Sequence, residues 1–395
     1  MQDGVSGNYV TRVFNDMGAI APEVWDGLLA QQASPTPFMR HAYLQALTAS
    51  GSAVAHTGWN LRLLTLWQDA ALVGACPLWL KTHSRGEYVF DWAWAEAYER
   101  HGLPYYPKAI VASPFTPVPG TRLLARSAAD RMALLQALTD WCGAEHLPSL
   151  HILFGDDADL HACQQAGLML RRQVQFHWQN QGWRDFDDFL ASLNQDKRKK
   201  IRQERRKVRE AGVVFRAVTG HEASDADWAF VQQCYEQTYW EHGNPPYLQP
   251  GFFAAMRRDL PEHWLMFIGT IEGEPMAMSL IGLQSDAQGS PQVAYGRYWG
   301  ATRRVDCLHF EACYYQPIEW CIRHGVQRFE GGAQGEHKMA RALMPVQTAS
   351  AHWIAHPGFA EAIGRFLERE QDGVADYLDV LTQHSPLRKT QADQA

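Results

Sequence analysis

The segment from residue 295 to 341 carries most of the side chains with which this chain could transfer protons or bind anions. YGRYWG (295–300) has the pattern of a strand end, LHFEACYYQPIEWCIRHG (308–325) that of a helix, and FEGGAQGEHK (329–338) that of a second strand with a glycine-rich loop. A strand that ends in polar groups and continues into a helix is the usual position of a ligand cleft in an α/β sheet. We therefore predict that these groups converge on one active site.

Composition limits the class of protein. With 395 residues, 46% of them hydrophobic, the chain is long enough for two globular domains with packed cores. No apolar run approaches the ~20 residues that cross a bilayer, and the N-terminal residues lack the charged head and apolar core of a secretory signal. The seven cysteines are scattered and form no CxxC pair. We expect a cytoplasmic protein with reduced thiols, no transmembrane segment and no bound metal.

The order of the predicted elements indicates two copies of one plan. Residues 61–81 and 264–283 each have the pattern of a two-stranded hairpin, with turns at Asp69–Ala70 and Glu272–Gly273. In each half the hairpin is followed by a strand (87–94 and 292–299), a helix (128–146 and 308–324) and a last strand (149–154 and 327–332). We predict a mixed α/β fold with a first domain at 1–170, a connecting strand and basic helix at 171–212, and a second domain at 213–395. An amphipathic pattern predicts a C-terminal helix from about 358 to 382.

The predicted basic helix is the strongest local charge in the chain. Nine of the 36 lysine and arginine residues lie between 197 and 209, although the formal net charge is −7. Ile201 and Val208 form a narrow apolar stripe that would dock the helix, and a solvated charged face is the common explanation for the rest. Like charges at helical spacing are destabilising unless an anion binds there. We expect phosphates of a carrier, a tRNA or a lipid-linked precursor at this helix. We expect no sequence-specific DNA binding, because no base-reading surface accompanies it.

These stretches resemble the FemAB-like proteins, a bacterial family with tandem GNAT domains. The resemblance is carried by FHWQNQGWRDFDDFLASLNQDKRKKIRQERRKV (176–208), by the segment from 295 to 341, and by GEYVFDWAWAEAYERHGLPYYPK (86–108) and SPFTPVPGTRLL (113–124) in the first half. It extends from about residue 20 to 388, with a departure at Ala342, where a glycine is commoner. The resemblance implies two GNAT-like domains, each a mixed β-sheet flanked by helices. It also implies an acyltransferase-like protein linked to peptidoglycan biosynthesis or recognition.

A GNAT-like fold implies transfer of an acyl group from a carrier, usually the thioester of coenzyme A, to an amine. Backbone N–H groups must then hold the carrier's pyrophosphate. For this role we predict the strand-to-helix turn with Gly300, Arg303 and Arg304, together with Lys199 and Arg202 of the basic helix. The turn lacks the Q/R-x-x-G-x-G/A sequence of coenzyme A users, and an ordinary rigid loop is the alternative interpretation. The equivalent loop at 113–122 contains three prolines, which have no N–H to donate.

The reaction also needs a base for the amine's proton and a donor for the oxyanion. For proton transfer we predict Glu311, Glu336, His337 and Tyr298. Glu311 would equally stabilise the helix dipole without any role in the reaction, and Glu330 closes a strand beside the same cleft. The glycines at 331, 332 and 335 either admit a substrate to the backbone or mark a turn. For substrate binding we predict the other polar groups of the cleft: His177, Asn180, Tyr295, Arg297, His309, Gln334, Lys338 and Arg341.

Together these predictions describe an N-acyltransferase that uses acyl-CoA, such as acetyl-CoA, and an amine acceptor that is small or related to the cell wall. The first alternative is an aminoacyl-tRNA-dependent transferase that acts on a peptidoglycan precursor, which the basic helix favours. The second is a catalytically inactive module that binds such precursors through the same cleft. Salt-sensitive binding of charged tRNA would favour the first alternative, and binding without turnover the second.

Overall fold

A computed structural model describes residues 9–332 and 335–388 of the chain. Its strands are β1 (Tyr9–Phe14), β2 (Trp59–Gln68), β3 (Ala71–Lys81), β4 (Lys108–Val111), β5 (Leu124–Ala125), β6 (Ser149–Ile152), β7 (Met169–Gln179), β8 (Val214–Thr219), β9 (Trp264–Ile271), β10 (Glu274–Ser285), β11 (Pro291–Ala301), β12 (Arg328–Glu330) and β13 (Met344–Ile354). Its α-helices are α1 (Pro22–Leu29), α2 (His41–Ala49), α3 (Trp92–Arg100), α4 (Ala128–Ala144), α5 (Asp157–Gln165), α6 (Phe186–Ser192), α7 (Gln195–Glu210), α8 (Asp225–Glu241), α9 (Pro250–Asp259), α10 (Leu308–Phe310), α11 (Gln316–Arg323) and α12 (Pro357–Gln383). A π-helical turn, Glu311–Tyr315, joins α10 to α11, and a 3₁₀ helix spans Glu336–Arg341.

The described residues form two compact units. One unit contains 9–173 and 348–374, and the other contains 174–332, 335–347 and 375–388. The structure therefore differs from the predicted boundaries, because residues 348–374 belong to the first unit rather than the second. The reason is that β13 pairs with β6 and that Ile363 and Leu367 of α12 pack against Trp94 and Tyr98 of α3.

In the first unit, six strands form a sheet in the order β1, β2, β3, β4, β6, β13. All neighbours are antiparallel except β4 and β6, which are parallel. Helix α4 places Leu134 and Leu138 in the same core as Leu64 and Leu78 of the sheet. The prediction of a helix at 128–146 is confirmed, since α4 spans Ala128–Ala144.

In the second unit, the order is β7, β12, β11, β10, β9, β8, and only β11 and β12 are parallel neighbours. The core contains Trp178 of β7 and Phe329 of β12, packed with Tyr315 and Ile318 of the helix that covers the sheet. The β9–β10 hairpin turns at Glu272 and Gly273, whose φ angles of 52° and 86° suit a tight hairpin turn.

The predicted mixed α/β class and the shared plan of the two halves are confirmed. Each unit has a hairpin with a two-residue turn, followed by two parallel strands with a helix in their connection. The predicted strand at 87–94 is wrong, because α3 begins at Trp92 and the next strand of the unit is β4. Trp94 and Tyr98, four residues apart, are both buried on one face of α3, and this spacing is helical.

Among the described residues, no helix combines the length and the apolar character needed to cross a membrane.

Candidate functional site

The second unit contains an opening between its two parallel strands. β11 and β12 pair only as far as Tyr295 and Glu330, and β11 then continues to Ala301 without this partner. Glycines line both sides of the opening, Gly296 on β11 and Gly331–Gly332 after β12. A Cβ on Gly331 would overlap the side chain of Leu343, so this glycine permits close packing of Leu343 beside the opening. We call this opening the strand-divergence site.

Lys338 reaches the strand-divergence site from the 3₁₀ helix Glu336–Arg341. Its Nζ donates a hydrogen bond to the carbonyl oxygen of Gly332 at 2.7 Å, and the residue is only 4% exposed. Burial lowers the pKa of Lys338 to about 8, against a smaller opposing effect of Cys313. The amine therefore exchanges its proton close to neutral pH, as reactive lysines do.

A buried carboxylate and a buried imidazole lie side by side where β12 ends. Glu330 is opposite His177 in the β12–β7 register, with 3.7 Å between His177 Nε2 and Glu330 Oε2. Burial raises the pKa of Glu330 to about 7, although the Arg328 guanidinium, 2.9 Å away, opposes the rise. Burial, together with Arg328 and Lys338, lowers the pKa of His177 to about 3. Glu330 was not among the predicted proton carriers, and its position at a strand end was the signal for it.

His337 and Tyr314 form a hydrogen-bonded pair beside Lys338. Tyr314 Oη lies 3.2 Å from His337 Nε2. Burial, with smaller contributions from Lys338 and Arg341, lowers the pKa of His337, so the neutral imidazole predominates at pH 7. Glu336 is exposed, and its carboxylate accepts a hydrogen bond from Tyr377 Oη at 2.6 Å. The predicted proton carrier Glu336 therefore faces α12 rather than the strand-divergence site.

The predicted phosphate-binding turn borders a separate pocket, the arginine-turn pocket, of about 540 Å³. Arg303 and Arg304 are exposed and line it together with His309. Burial, and after it His337, lowers the pKa of His309 to about 4. Gly300 has a different role from the predicted one, since a Cβ there would overlap the backbone carbonyl of Cys234 on α8. This glycine permits close packing of α8 on β11 rather than contact with a phosphate.

Arg341 is a structural residue rather than the predicted substrate-binding residue. It is 2% exposed, and its Nη2 donates to Glu204 Oε2 at 2.9 Å while its Nε donates to Tyr315 Oη at 3.2 Å. Its Nη1 donates to the carbonyl oxygen of His337 at 2.7 Å, and its guanidinium covers the ring of Phe310. Every nitrogen of the guanidinium is engaged inside the protein, which leaves none for a ligand.

Glu311 faces α7. It is 4% exposed and accepts hydrogen bonds from Arg205 at 3.2 Å and from Gln316 at 2.7 Å. Burial raises its pKa against the opposing effect of Arg205. Glu311 lines a pocket of about 1290 Å³ that also contains the predicted Lys199 and Arg202. We call this the cationic pocket.

The remaining predicted residues stabilise the local fold. Asn180 uses both ends of its side chain in a turn, donating to the carbonyl of Val326 and accepting from the N–H of Gly182. Tyr295 is 1% exposed and donates to Gln284. On β11, Arg297 Nη2 donates to Tyr298 Oη at 3.3 Å, and the ring of Tyr298 packs edge-on against Tyr235. Gln334 lies outside the described residues.

The loop at 113–122 of the first unit was predicted as the equivalent of the phosphate-binding turn. The side chain of its own Arg122 fills it. Arg122 is 1% exposed, and its guanidinium donates to the carbonyl oxygens of Leu153, Gly120 and Val118. Asp159 accepts from the backbone N–H of Arg122 at 2.5 Å. The guanidinium of Arg122 is thus engaged by carbonyl groups of the protein rather than presented to a phosphate.

The prediction of one convergent cleft is wrong. Lys338, His337 and Tyr314 meet at the strand-divergence site, and His309 links this site to the arginine-turn pocket, with its ring centroid 5.6 Å from that of Tyr314. Glu311 belongs to the cationic pocket instead. Within the described ranges 9–332 and 335–388, no cluster of three or more His, Cys, Asp or Glu side chains could hold a metal ion.

Comparison with known proteins identifies the relatives of this architecture. Residues 16–389 match the model of the FemAB-like family, which is described as peptidoglycan biosynthesis/recognition. No curated protein matches significantly. Among solved structures, FemX is 10% identical, with a TM-score of 0.55 and alignment over 89% of this chain and 100% of FemX. L-PGS from Bacillus licheniformis is 9% identical, with a TM-score of 0.52 over 88% of this chain and 97% of its own.

A third structure, the C-terminal domain of a putative lysylphosphatidylglycerol synthetase from Agrobacterium fabrum, is 9% identical, with a TM-score of 0.51 over 88% of this chain and 95% of its own. At such identities these likenesses establish the fold alone. The match over residues 16–389 and the two related α/β units agree with the FemAB-like resemblance that the sequence shows.

Proposed function

Because the chain belongs to the FemAB-like family, we propose that it is an N-acyltransferase whose reaction takes place in the second unit. The acyl group would come from an activated carrier, acyl-CoA in this proposal, and the acceptor would be an amine of a small or cell-wall-related molecule. The observation that carries the proposal is the strand-divergence site. There, glycine backbone on both sides of the opening adjoins the buried Lys338 amine and the His337–Tyr314 pair.

The proposed step forms a C–N bond and breaks a C–S bond. The acceptor amine attacks the acyl carbonyl, and the Lys338 ammonium stabilises the oxyanion of the tetrahedral intermediate. His337 takes the amine's proton at Nδ1 and passes the proton on Nε2 to Tyr314, across the 3.2 Å hydrogen bond. Tyr314 in turn gives its own proton to the departing thiolate. The neutral state of His337 at pH 7, which follows from its lowered pKa, is the state that this relay needs.

The arginine-turn pocket is the proposed place for the phosphates of the carrier. Arg303 and Arg304 are exposed there, next to the end of β11, and guanidinium groups bind phosphate oxygens in bidentate fashion. His309 lies between this pocket and Tyr314, so an elongated carrier would run from the arginines along β11 towards Lys338.

A steady-state assay of free thiol released from acetyl-CoA, with a panel of amines, tests the proposal. We expect Arg303→Gln with Arg304→Gln to raise KM for acetyl-CoA at least tenfold and to change kcat little. We expect Tyr314→Phe to lower kcat by about 10²-fold, in the usual range for general acid catalysis. Failure of acetyl-CoA and longer acyl-CoAs to bind or react with any amine would reject coenzyme A as the carrier. Tight binding of precursors without turnover would favour the inactive binding module.

A second candidate function is transfer of an aminoacyl group from tRNA to a peptidoglycan precursor. The observation that favours it is the cationic surface of α7, where Lys199 and Arg202 line the cationic pocket. A filter-binding assay with charged tRNA separates the two candidates. Neutralisation of several phosphates by α7 would make log Kd depend steeply on log salt concentration. Acyl-CoA turnover that tRNA does not inhibit would speak against this candidate.

A further inference from the structure

The cationic pocket carries more positive charge than its surroundings neutralise. Six cationic side chains of α7 line it: Arg198, Lys199, Arg202, Arg205, Arg206 and Arg209. The carboxylates that line it are Asp187, Glu311 and Glu319. Within the part of the chain that the structure describes, three of the cations, Arg198, Lys199 and Arg209, form no ion pair. The lining therefore has an excess of positive charge that a multiply charged anion would neutralise.

The spacing of these cations on α7 forms a row. Residues 198, 202, 205 and 209 follow each other by four, three and four positions, which puts them on one face of the helix. At 1.5 Å per residue the row is ~16 Å long, which is enough for several phosphate groups in series. Like charges in such a row repel each other, and an anion bound along it would remove this repulsion.

Arg205 is held in place before any ligand binds. Its Nη2 lies 3.1 Å from Glu311 Oε1 and 2.7 Å from Glu319 Oε2, and its guanidinium carbon is 4.4 Å from the centroid of the Phe186 ring. A guanidinium fixed by two carboxylates and an aromatic ring loses little conformational entropy when it binds an oxyanion.

One wall of the cationic pocket, formed by residues that follow α7, is apolar. Val213, Val214 and Phe215, at the start of β8, line the pocket, and Val214 is 68% exposed. An exposed valine next to a row of arginines suits a ligand that combines anionic groups with an apolar or planar group. The volume of about 1290 Å³ exceeds what a single inorganic phosphate needs.

We propose that the cationic pocket binds a small molecule with two or more phosphate groups attached to an apolar or planar group. This site is separate from the strand-divergence site and from the arginine-turn pocket, and it does not depend on the proposed acyl transfer. A nucleotide and a phospholipid headgroup share this chemistry, and the experiment below distinguishes them.

Isothermal titration calorimetry with AMP, ADP, ATP and inorganic tripolyphosphate, at low and moderate salt, tests the proposal. We expect affinity to rise from AMP to ATP, to weaken as salt is added, and to be higher for ATP than for tripolyphosphate because of the apolar wall. Soluble short-chain phosphatidylinositol bisphosphate forms the lipid arm, and tighter binding there than to ATP would identify a headgroup as the source. Binding of none of these probes at millimolar concentration, or binding of tRNA alone, would overturn the proposal.

The matched variants remove two charges each. Arg198→Gln with Arg209→Gln should weaken binding of the best probe at least tenfold, whereas Arg257→Gln with Arg258→Gln on α9, both exposed, should change it less than twofold. Arg303→Gln with Arg304→Gln should leave this affinity intact even if it abolishes acyl-CoA binding, so the two proposals fail separately. If the first pair does not fold, the single exposed change Lys199→Gln replaces it and should weaken binding about threefold. Equal affinity in all variants would reject the site.

Discussion

At the scale of single residues, burial moves two ionisable side chains of the second unit towards neutrality from opposite directions. The pKa of Glu330 rises to about 7, and the pKa of Lys338 falls to about 8. In both cases desolvation of the charged form is the largest cause. A carboxyl and an amine that both titrate near neutral pH are typical of catalytic sites, where proton exchange is part of the reaction.

Lys338→Met should lower kcat by about 10²-fold or more, because the oxyanion loses its charged donor.

The same substitution should change how the free energy of unfolding depends on pH. The folded pKa of about 8 lies below the ordinary 10.5, so between these values the unfolded chain binds more protons, and wild-type stability gains as pH rises. Urea denaturation at pH 7.5 and pH 10 should show this gain in the wild type and not in the variant. Equal pH slopes would contradict a buried, titrating Lys338.

Glu330→Gln should have the opposite pH signature. The folded pKa of Glu330, about 7, exceeds the ordinary 4.5, so the folded state binds more protons between these values and loses stability as pH rises. The variant lacks this loss. Its free energy of unfolding relative to wild type should therefore rise by on the order of 2 kcal/mol from pH 4.5 to pH 8. Denaturation curves at both pH values measure the difference in free energy of unfolding between the variant and the wild type. The same difference at both pH values would show that burial does not raise the pKa of Glu330.

At position 342 the chain has an alanine where a glycine is commoner in the family, and the backbone conformation explains the preference for glycine. Its φ of 59° lies in the left-handed region, where any side chain adds strain. Ala342→Gly should remove strain of about 1–2 kcal/mol and lose the packing of one methyl group, about 0.8 kcal/mol, so the net effect should be a stabilisation of up to about 1 kcal/mol. Ala340→Gly, two residues earlier in the 3₁₀ helix, is the control and should destabilise by a similar amount. Thermal unfolding of both variants checks the signs, and loss of stability in both would reject the explanation.

At the scale of elements, the sequence predicts most helices and strands but not their polar contacts. The stripe of Ile201 and Val208 on α7 is confirmed, since both are buried. Glu204 lies on the same face, three residues after Ile201, and is buried as well. A charged residue on an apolar stripe was the available signal, but its partners, Arg341 and Tyr315, are more than 100 positions away. Sequence spacing alone does not reveal such partners.

Glu204→Gln should destabilise the protein by about 3–5 kcal/mol, because Arg341 would keep a buried charge without its carboxylate. The exposed pair Arg365–Glu361 provides the control, and Arg365→Gln should change stability by less than about 1 kcal/mol. Urea denaturation of both variants gives the comparison. Glu204→Met combined with Arg341→Met should recover part of the loss, since it removes both charges. A loss below 1 kcal/mol for Glu204→Gln would mean that water reaches the pair.

The strand predicted at 87–94 illustrates a different limit. Alternating aromatic and polar residues favour a strand, but Glu87 and Asp91 point inwards and pair with Lys108, which is fully buried. These two carboxylates neutralise the buried ammonium of Lys108, and this need determines the conformation of the segment. Helix α3 begins directly after Asp91. Local periodicity contains no information about that requirement.

At the scale of the whole molecule, domain membership depends on pairing between distant segments. The predicted boundaries assume that each domain is continuous in sequence, whereas the first unit takes residues 348–374 from the C-terminal part of the chain. β13 pairs with β6, Ala351 opposite Ile152, and Ala351 is fully buried. The repeat of element order correctly predicts two related units. It does not include β13, so it cannot show to which unit this strand belongs.

A fragment of residues 1–170, the predicted first domain, should therefore fail to fold cooperatively. Without β13 the edge of β6 has unpaired backbone groups, and without the start of α12 the side chains of Trp94 and Tyr98 lose their apolar cover. Residues 1–173 joined to 348–374 by a flexible linker of ~20 Gly and Ser residues restore both. This second fragment should show native-like circular dichroism and a sharp thermal transition. The same linked fragment with His352→Asp, which places a charge at a fully enclosed position of β13 (1% exposed), should lose the transition. Cooperative unfolding of 1–170 alone would show instead that the first unit does not depend on the returning strand.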